Sequence, residues 1–260
     1  RYNINPSDII AYVDKQNNEA LFDWLAYKLP LNTTLDARLR HQVLALSIST
    51  LSQGVPFYQA GADIMRSKSL DKNSYNSGDW FNAIRWDLSD NGFGRGLPMK
   101  GDNGARWDNY ARPILAQSAT IKPTPEQMLA STKRFQEFLK IRYSSELFRL
   151  ATGEDVRKRI RFANTSGNTP GVIAMTIQDG SAKYKKLQDL DPSLRAITVI
   201  FNTNVKATKV TINKLGKVSL HPIQQNSVDQ KLKGYKVVSQ TKKTITVLVP
   251  ALSTLVLNQK

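Results

Sequence analysis

From Ile160 onward, apolar and polar residues alternate with period two, and no long stretch keeps helical spacing. Segments 160–162, 172–177, 196–201, 209–212, 235–238, 244–249 and 253–257 read as strands, punctuated by Asn, Gly, Lys and Pro. Many short strands with no helices between them predict an antiparallel β-sandwich. Upstream of residue 151 the pattern differs. Leu35, Leu39, Val43, Leu46 and Thr50 recur at helical spacing and predict a helix over 35–51. A second helix is predicted over 125–143, with Thr124 as N-cap and Pro125 at its first position. Met128, Leu129, Phe135, Phe138 and Leu139 form its apolar side. The short apolar runs 9–13 and 55–58 read as buried parallel strands. The fold class is therefore α/β followed by all-β. Residues 1–150 and 151–260 are the expected domains, with the boundary near Ala151, Thr152 and Gly153.

The first part reads strand, helix, strand, loop, helix, which is two β/α units. Two parallel strands cannot close a sheet, and bare edges invite aggregation. Further chain upstream, or another subunit, is expected to cover them. Residues 65–122 are rich in Gly, Asn, Asp and Ser, and loops of that length are usually functional.

Charge narrows the partners. The formal net charge is +16, and it is unevenly spread. Residues 1–150 carry 19 Lys and Arg against 15 Asp and Glu, whereas residues 151–260 carry 18 against 6. A basic surface of this kind attracts polyanions, such as RNA or an acidic protein partner. The lysines are scattered, the densest run being Lys183 to Lys186, so a solvated basic face is the better reading. There is no cysteine, which removes disulfides and thiolate metal sites and leaves the compartment open. No run of about 18 apolar residues exists to span a membrane. Residues 1–6 do not read as a signal peptide, so any targeting segment is expected upstream.

Residues 10–23, IAYVDKQNNEALFD, resemble the fourth signature region of the α-amylase superfamily as found in pullulanases and plant limit dextrinases. Residues 54–61, GVPFYQAG, resemble the last barrel strand of those enzymes. Residues 66–70, RSKSL, and 74–82, SYNSGDWFN, resemble the loop that follows it. Residues 139–150 are similar to the end of the last barrel helix, and 170–175 and 220–224 to strands of the C-terminal domain. The resemblance runs in order along essentially the whole chain. It implies the C-terminal portion of a (β/α)8 barrel followed by the β-sandwich, in an enzyme family that hydrolyses α-1,6 linkages in starch-type glucans.

Such hydrolysis, with retention, uses a carboxylate nucleophile and a carboxylic acid. By the resemblance both come from strands that precede Arg1, so the upstream barrel half is an expected partner and branched α-glucan the expected ligand. The family's usual His-Asp-Asn triplet is here Gln16, Asn17 and Asn18. Asn17 stands where a carboxylate would favour the cationic transition state, and Gln16 where a histidine would donate to the sugar. Losing one preorganised group costs roughly 10²–10³-fold in rate. Lys72 and Asn73 replace a usual Arg-Asp pair in the loop, and Asn76, Asp79 and Trp80 match family positions beside the cleft. These changes imply a catalytically impaired or inactive relative, with a recruited structural or RNA-associated protein, or a glucan-binding module, as the alternatives.

The other candidates carry less. Trp80 reads as a packing anchor, with sugar stacking as its second reading, and Asp79 as a loop brace. Asp63 is expected to pair with Arg66 or Lys68. Trp86, Trp107 and Tyr110 can line a glucan surface, though buried anchors are commoner. Neither His41 nor His221 has a carboxylate pair nearby in sequence. Calcium is possible by family resemblance, but Asn17, Asn18 and Glu19 form no calcium loop. Residues 92–96, GFGRG, match a dinucleotide fingerprint poorly, and no cofactor is expected.

Overall fold

The computed structural model describes residues 4–15, 17–163, 169–180 and 187–260. Gln16 and the Lys183 to Lys186 run lie outside the described residues. The chain divides into two compact units, one of residues 1–11, 47–56 and 136–260, the other of residues 12–46 and 57–135. This division follows contacts, whereas the 1–150 and 151–260 division follows the change of apolar period.

The first unit holds the strands. β1 (Ile10–Ala11) and β2 (Val55–Pro56) pair in parallel. Eight antiparallel strands follow: β3 (Ile160–Phe162), β4 (Val172–Gln178), β5 (Ala196–Asn202), β6 (Thr208–Asn213), β7 (Val218–Leu220), β8 (Lys236–Gln240), β9 (Thr244–Val249) and β10 (Ser253–Gln259). They form a five-stranded sheet, order β3-β4-β5-β10-β7, and a three-stranded sheet, order β6-β9-β8. Val172, Ala174, Ile200, Leu255 and Leu257 of the first sheet join Val210, Ile212, Ile245, Val247 and Val249 of the second in one core. Each Val, Ile or Leu side chain among them contributes about 1.5–3 kcal/mol on burial. β6 and β9 alternate because only one face is covered, while every residue of β5 and β10 is buried. On β10 the Thr254 hydroxyl lies 2.6 Å from that of Ser47, at the C-terminal part of the Leu35–Leu51 helix.

Both long helices occupy the ranges read from periodicity, Leu35–Leu51 and Pro125–Tyr143. Thr124 caps the second with a reciprocal pair: its hydroxyl accepts from Gln127 N–H at 3.3 Å, and its N–H donates to the Gln127 side chain at 2.9 Å. The first helix ends where the buried Arg142 guanidinium donates to the carbonyls of Thr50, Ser52 and Gly54 at 2.6–2.8 Å. A cation on those orphan carbonyls satisfies them and complements the helix dipole. Gly54 then turns the chain at φ +97°, and a Cβ there would sit 2.9 Å from the Ile9 carbonyl oxygen.

Several expectations need correction. Only Ile10 and Ala11 of the 9–13 run pair, and neither run is buried: Ile9, Ile10 and Tyr12 of the first and Val55 and Phe57 of the second are exposed. Two strands of two residues bury little, so the apolar edge that sequence placed in a core stands open here. Parallel pairing among the described residues is confined to β1 and β2. Residues 65–122 are not structureless, since short helical turns occupy Gly78–Asn82, Lys100–Asn103, Gly104–Arg106, Trp107–Ala111, Arg112–Leu115 and Ser118–Ile121. The Leu21–Lys28 helix, the Gly153–Arg159 helix and β7 were not legible from period alone. Pro222–Gln225 is a helical turn rather than a strand, capped by His221. Leu129, expected on the apolar side of its helix, is exposed.

Candidate functional site

The second unit holds the two loops that leave β1 and β2. Asp14 ties their starts together: one carboxylate oxygen accepts from Gln59 N–H and the other from Leu21 N–H, both at 3.4 Å. Burial raises its pKa, against the pull of these donors and of Arg66. The loop then exposes Asn17 and Asn18. Asn18 sits at φ +67°, a left-handed conformation Asn tolerates, and its carbonyl accepts from Lys68 Nζ at 2.7 Å.

Lys68 is buried, and the cause is the loop around it. Asp23, on the Leu21–Lys28 helix, is fully buried and accepts from the Ser67 hydroxyl and from Lys68 N–H at 2.7 Å. Burial pushes its pKa up to about 6 despite these donors and the Lys68 charge. Met65, Ser69 and Leu70 all have positive φ, a tight winding that Asp23 holds from beneath. Asp71, also buried, accepts from Asn73 N–H, the Ser77 hydroxyl and the Asn103 amide at 2.6–3.0 Å. Glu19 is buried in an ion pair with Arg106. Carboxylates inside the unit thus fix the backbone of a loop whose outer side chains remain free to meet a ligand.

The structure brings some predicted residues together and not others. Lys72 donates its N–H to Asn103, and Asn73 donates its side-chain amide to Asp102 at 3.0 Å. Asn73 and Asn76 are exposed, as is Asp79. Trp80 is no packing anchor: it is 65% exposed, with its indole N–H donated to the Arg95 carbonyl at 2.8 Å. Trp86 and Tyr110 are exposed and Trp107 is half-buried. Asp63 accepts from the Thr132 hydroxyl at 3.1 Å, while the charges acting on Arg66 are those of Asp23 and Asp14. Sequence reasoning missed Asp23, Asp71 and Asn103. Their signal was faint: an acidic residue inside an apolar helix run, and an Asx-rich loop with no periodicity.

Residues 88–260 match the family model described as alpha-1,6-glucosidases, pullulanase-type, C-terminal. The chain is 42% identical to Pullulanase 1, chloroplastic, of Arabidopsis thaliana over 231 residues, covering 88% of this chain and 24% of that protein. It superposes on ligand-free PulA from Klebsiella pneumoniae with a TM-score of 0.87 at 32% identity, and on that organism's pullulanase complexed with maltotriose with a TM-score of 0.84 at 31% identity. Each superposition covers 98% of this chain and 24% of the other. The chain thus spans about a quarter of the length of these relatives. It belongs to the pullulanase-type α-1,6-glucosidases, as part of their C-terminal region.

Proposed function

We propose that this chain ends the catalytic barrel, and supplies the following β-domain, of a protein that binds branched α-glucan and hydrolyses α-1,6 linkages weakly or not at all. In this reading residues 1–150 are the last two β/α units of a (β/α)8 barrel, with β1 and β2 side by side in it. The observation that supports it is the parallel pair whose two following loops are tied together by Asp14 and by Lys68 on the Asn18 carbonyl. Barrel enzymes place their chemistry on loops at these strand ends. The open edge at Ile9, Ile10 and Val55 fits a pair that continues into upstream strands carrying the nucleophile and the acid.

Within that cleft Asn18, Lys72, Asn73, Asn76, Asp79 and Trp80 face the glucan. Asn17 retains the shape of a carboxylate without its charge, and Gln16 replaces a donor. The whole protein with Gln16→His and Asn17→Asp together should then hydrolyse pullulan at least about tenfold faster than the parent. Both changes are made at once because they act on one sugar. A parent already turning over at a normal debranching rate would refute the impairment. So would no gain in a folded double variant whose upstream carboxylates are intact.

A second reading has one specific observation behind it. Residues 203–260 contain ten lysines and one acidic side chain, Asp229, which is buried as a cap on Lys231 N–H. A recruited RNA-associated protein would use that face through phosphate contacts. Steep weakening of RNA binding with added salt is its test, and salt-independent or absent binding removes it.

A further inference from the structure

We propose that the free edge of β8 is a docking site for an acidic, extended segment of a partner protein, which adds to the three-stranded sheet as one more strand. The proposal is independent of the glucan reading. β8 lies at the end of the order β6-β9-β8, and all five of its residues are exposed. On such an edge alternate residues turn their N–H and C=O groups away from the neighbouring strand, which is the template that strand addition uses.

β8 stands apart from the other strands of the sandwich. β6, at the opposite end of the same sheet, buries Val210 and Ile212 in the core, whereas among the described residues no β8 side chain joins that core. The register makes this unusual. Val237 pairs with Val247, which is fully buried in the core, so Val237 lies on the core side of the sheet. It is nevertheless 45% exposed. Val238, which the register skips at a bulge, is exposed as well. The sheet thus overhangs its core at this end and presents apolar side chains beside an unpaired backbone.

Charge selects the occupant. Residues 230–243 hold five lysines, Lys231, Lys233, Lys236, Lys242 and Lys243, and no acidic residue. All five are exposed. Lys236 pairs with Leu248, which pairs in turn with Lys209, so two lysines flank an apolar residue on the outer side of the sheet. A strand that alternates acidic and apolar residues meets both sides at once, with carboxylates beside Lys236 and apolar side chains beside Val237. Lysine and a bulge are the usual means of blunting a free edge. Here they repel a second copy of this chain, which would set lysine against lysine, but they do not repel an acidic strand. RNA fits the edge less well. β8 holds no aromatic ring on which a base can stack, the adjoining Tyr235 is half-buried, and exposed valines do nothing for a phosphate backbone.

The test uses the whole protein and a labelled octapeptide that alternates Glu and Val, with both ends blocked. Affinity is read by fluorescence anisotropy, and hydrogen exchange is followed over residues 235–241. Binding should slow the outward-facing β8 amides at least about tenfold, and the same octapeptide with Lys in place of Glu should not bind. Lys233→Glu together with Lys236→Glu, both exposed and outside the core, should weaken binding at least about tenfold. Val238→Asp should weaken it too, and covers the case in which the double variant fails to fold. An oligouridylate of equal charge should leave β8 exchange unchanged; protection by it, with displacement of the peptide, gives the surface to RNA and overturns the proposal. Absence of peptide binding, or binding without β8 protection, also overturns it. So do β8 amides already protected in the whole protein, whether in the monomer or only in a dimer at high concentration.

Discussion

His221 sets a pH limit on the sandwich that can be worked out from its contacts. The ring is 4% exposed. Nδ1 accepts from Ile223 N–H at 3.3 Å, capping the Pro222–Gln225 turn. Nε2 lies 3.1 Å from the Ser144 hydroxyl, which donates its own proton to the Ile141 carbonyl at 2.8 Å. Ser144 therefore receives a proton from Nε2, and the neutral Nε2–H tautomer satisfies every partner. A second proton would have to go on Nδ1, facing another donor in a desolvated place. Burial accordingly pushes the pKa down, from 6.5 to about 4. A depressed folded-state value means that the unfolded chain takes up the proton first as pH falls. The stabilisation is complete above pH 6.5 and is lost progressively as pH drops toward 4. The slope approaches 1.36 kcal/mol per pH unit, so about 2 kcal/mol is lost between pH 7 and 5. His221→Asn keeps a capping acceptor but removes the titration. Stability should be measured at both pH values through hydrogen exchange of the β5 and β10 amides under urea, in parent and variant. The parent should lose about 2 kcal/mol more than the variant on acidification. An equal loss in both would refute the assignment, because every other titrating group is common to the two proteins.

Asp23 should act in the opposite sense. Its folded-state value is raised to about 6, so stability is fullest below 3.8 and falls as pH rises toward 6. Asp23→Asn should flatten that fall, read by urea unfolding at pH 4 and 7. Arg159 and Asp179, whose side chains are both 0% exposed, form a buried ion pair at 2.9 Å. Asp179 also accepts from the N–H groups of Gly180, Leu190 and Asp191. Arg159→Met should cost about 3–5 kcal/mol by stranding that carboxylate, measured by urea unfolding at pH 7. Arg142→Met should lower the unfolding midpoint too, because it removes three hydrogen bonds, to the carbonyls of Thr50, Ser52 and Gly54, at once.

What sequence revealed of the fold follows from where its rules have physical force. The Pro125–Tyr143 helix buries a stripe over several turns and the Leu35–Leu51 helix is buried on most of its surface, and apolar residues recurring over that length are written into periodicity. Strands β4, β5, β6, β9 and β10 cross a shared core, so alternation or apolar runs mark them. β7 is a three-residue strand at the edge of its sheet, half-buried throughout, and leaves no such trace. The Gly78–Asn82 to Ser118–Ile121 turns are too short for a stripe, and hydrogen bonds accepted by Asp71 and Asp90 and donated by the Asn91 and Asn103 amides organise the loop instead.

The same distinction separates the two kinds of site residue. Asn17, Asn73, Asn76, Asp79 and Trp80 could be singled out from sequence because they stand in stretches that resemble family motifs, and all five are exposed. Asp23, Lys68 and Asp71 do the positioning, and they work through a few contacts that join segments distant in sequence, such as Asp23 with Lys68 N–H and Asp71 with the Asn103 amide. No local pattern encodes such a contact. The loop backbone is braced from within by carboxylates, whereas Asn17, Asn18 and Asn73, which depart from or belong to the family motifs, are exposed. A loop braced in this way keeps its shape when its outer side chains change. In the proposed reading, a loss of charge at residue 17 would alter what the cleft does to a glucan while leaving in place the framework that would hold one, and this is why restoring two side chains is expected to restore rate.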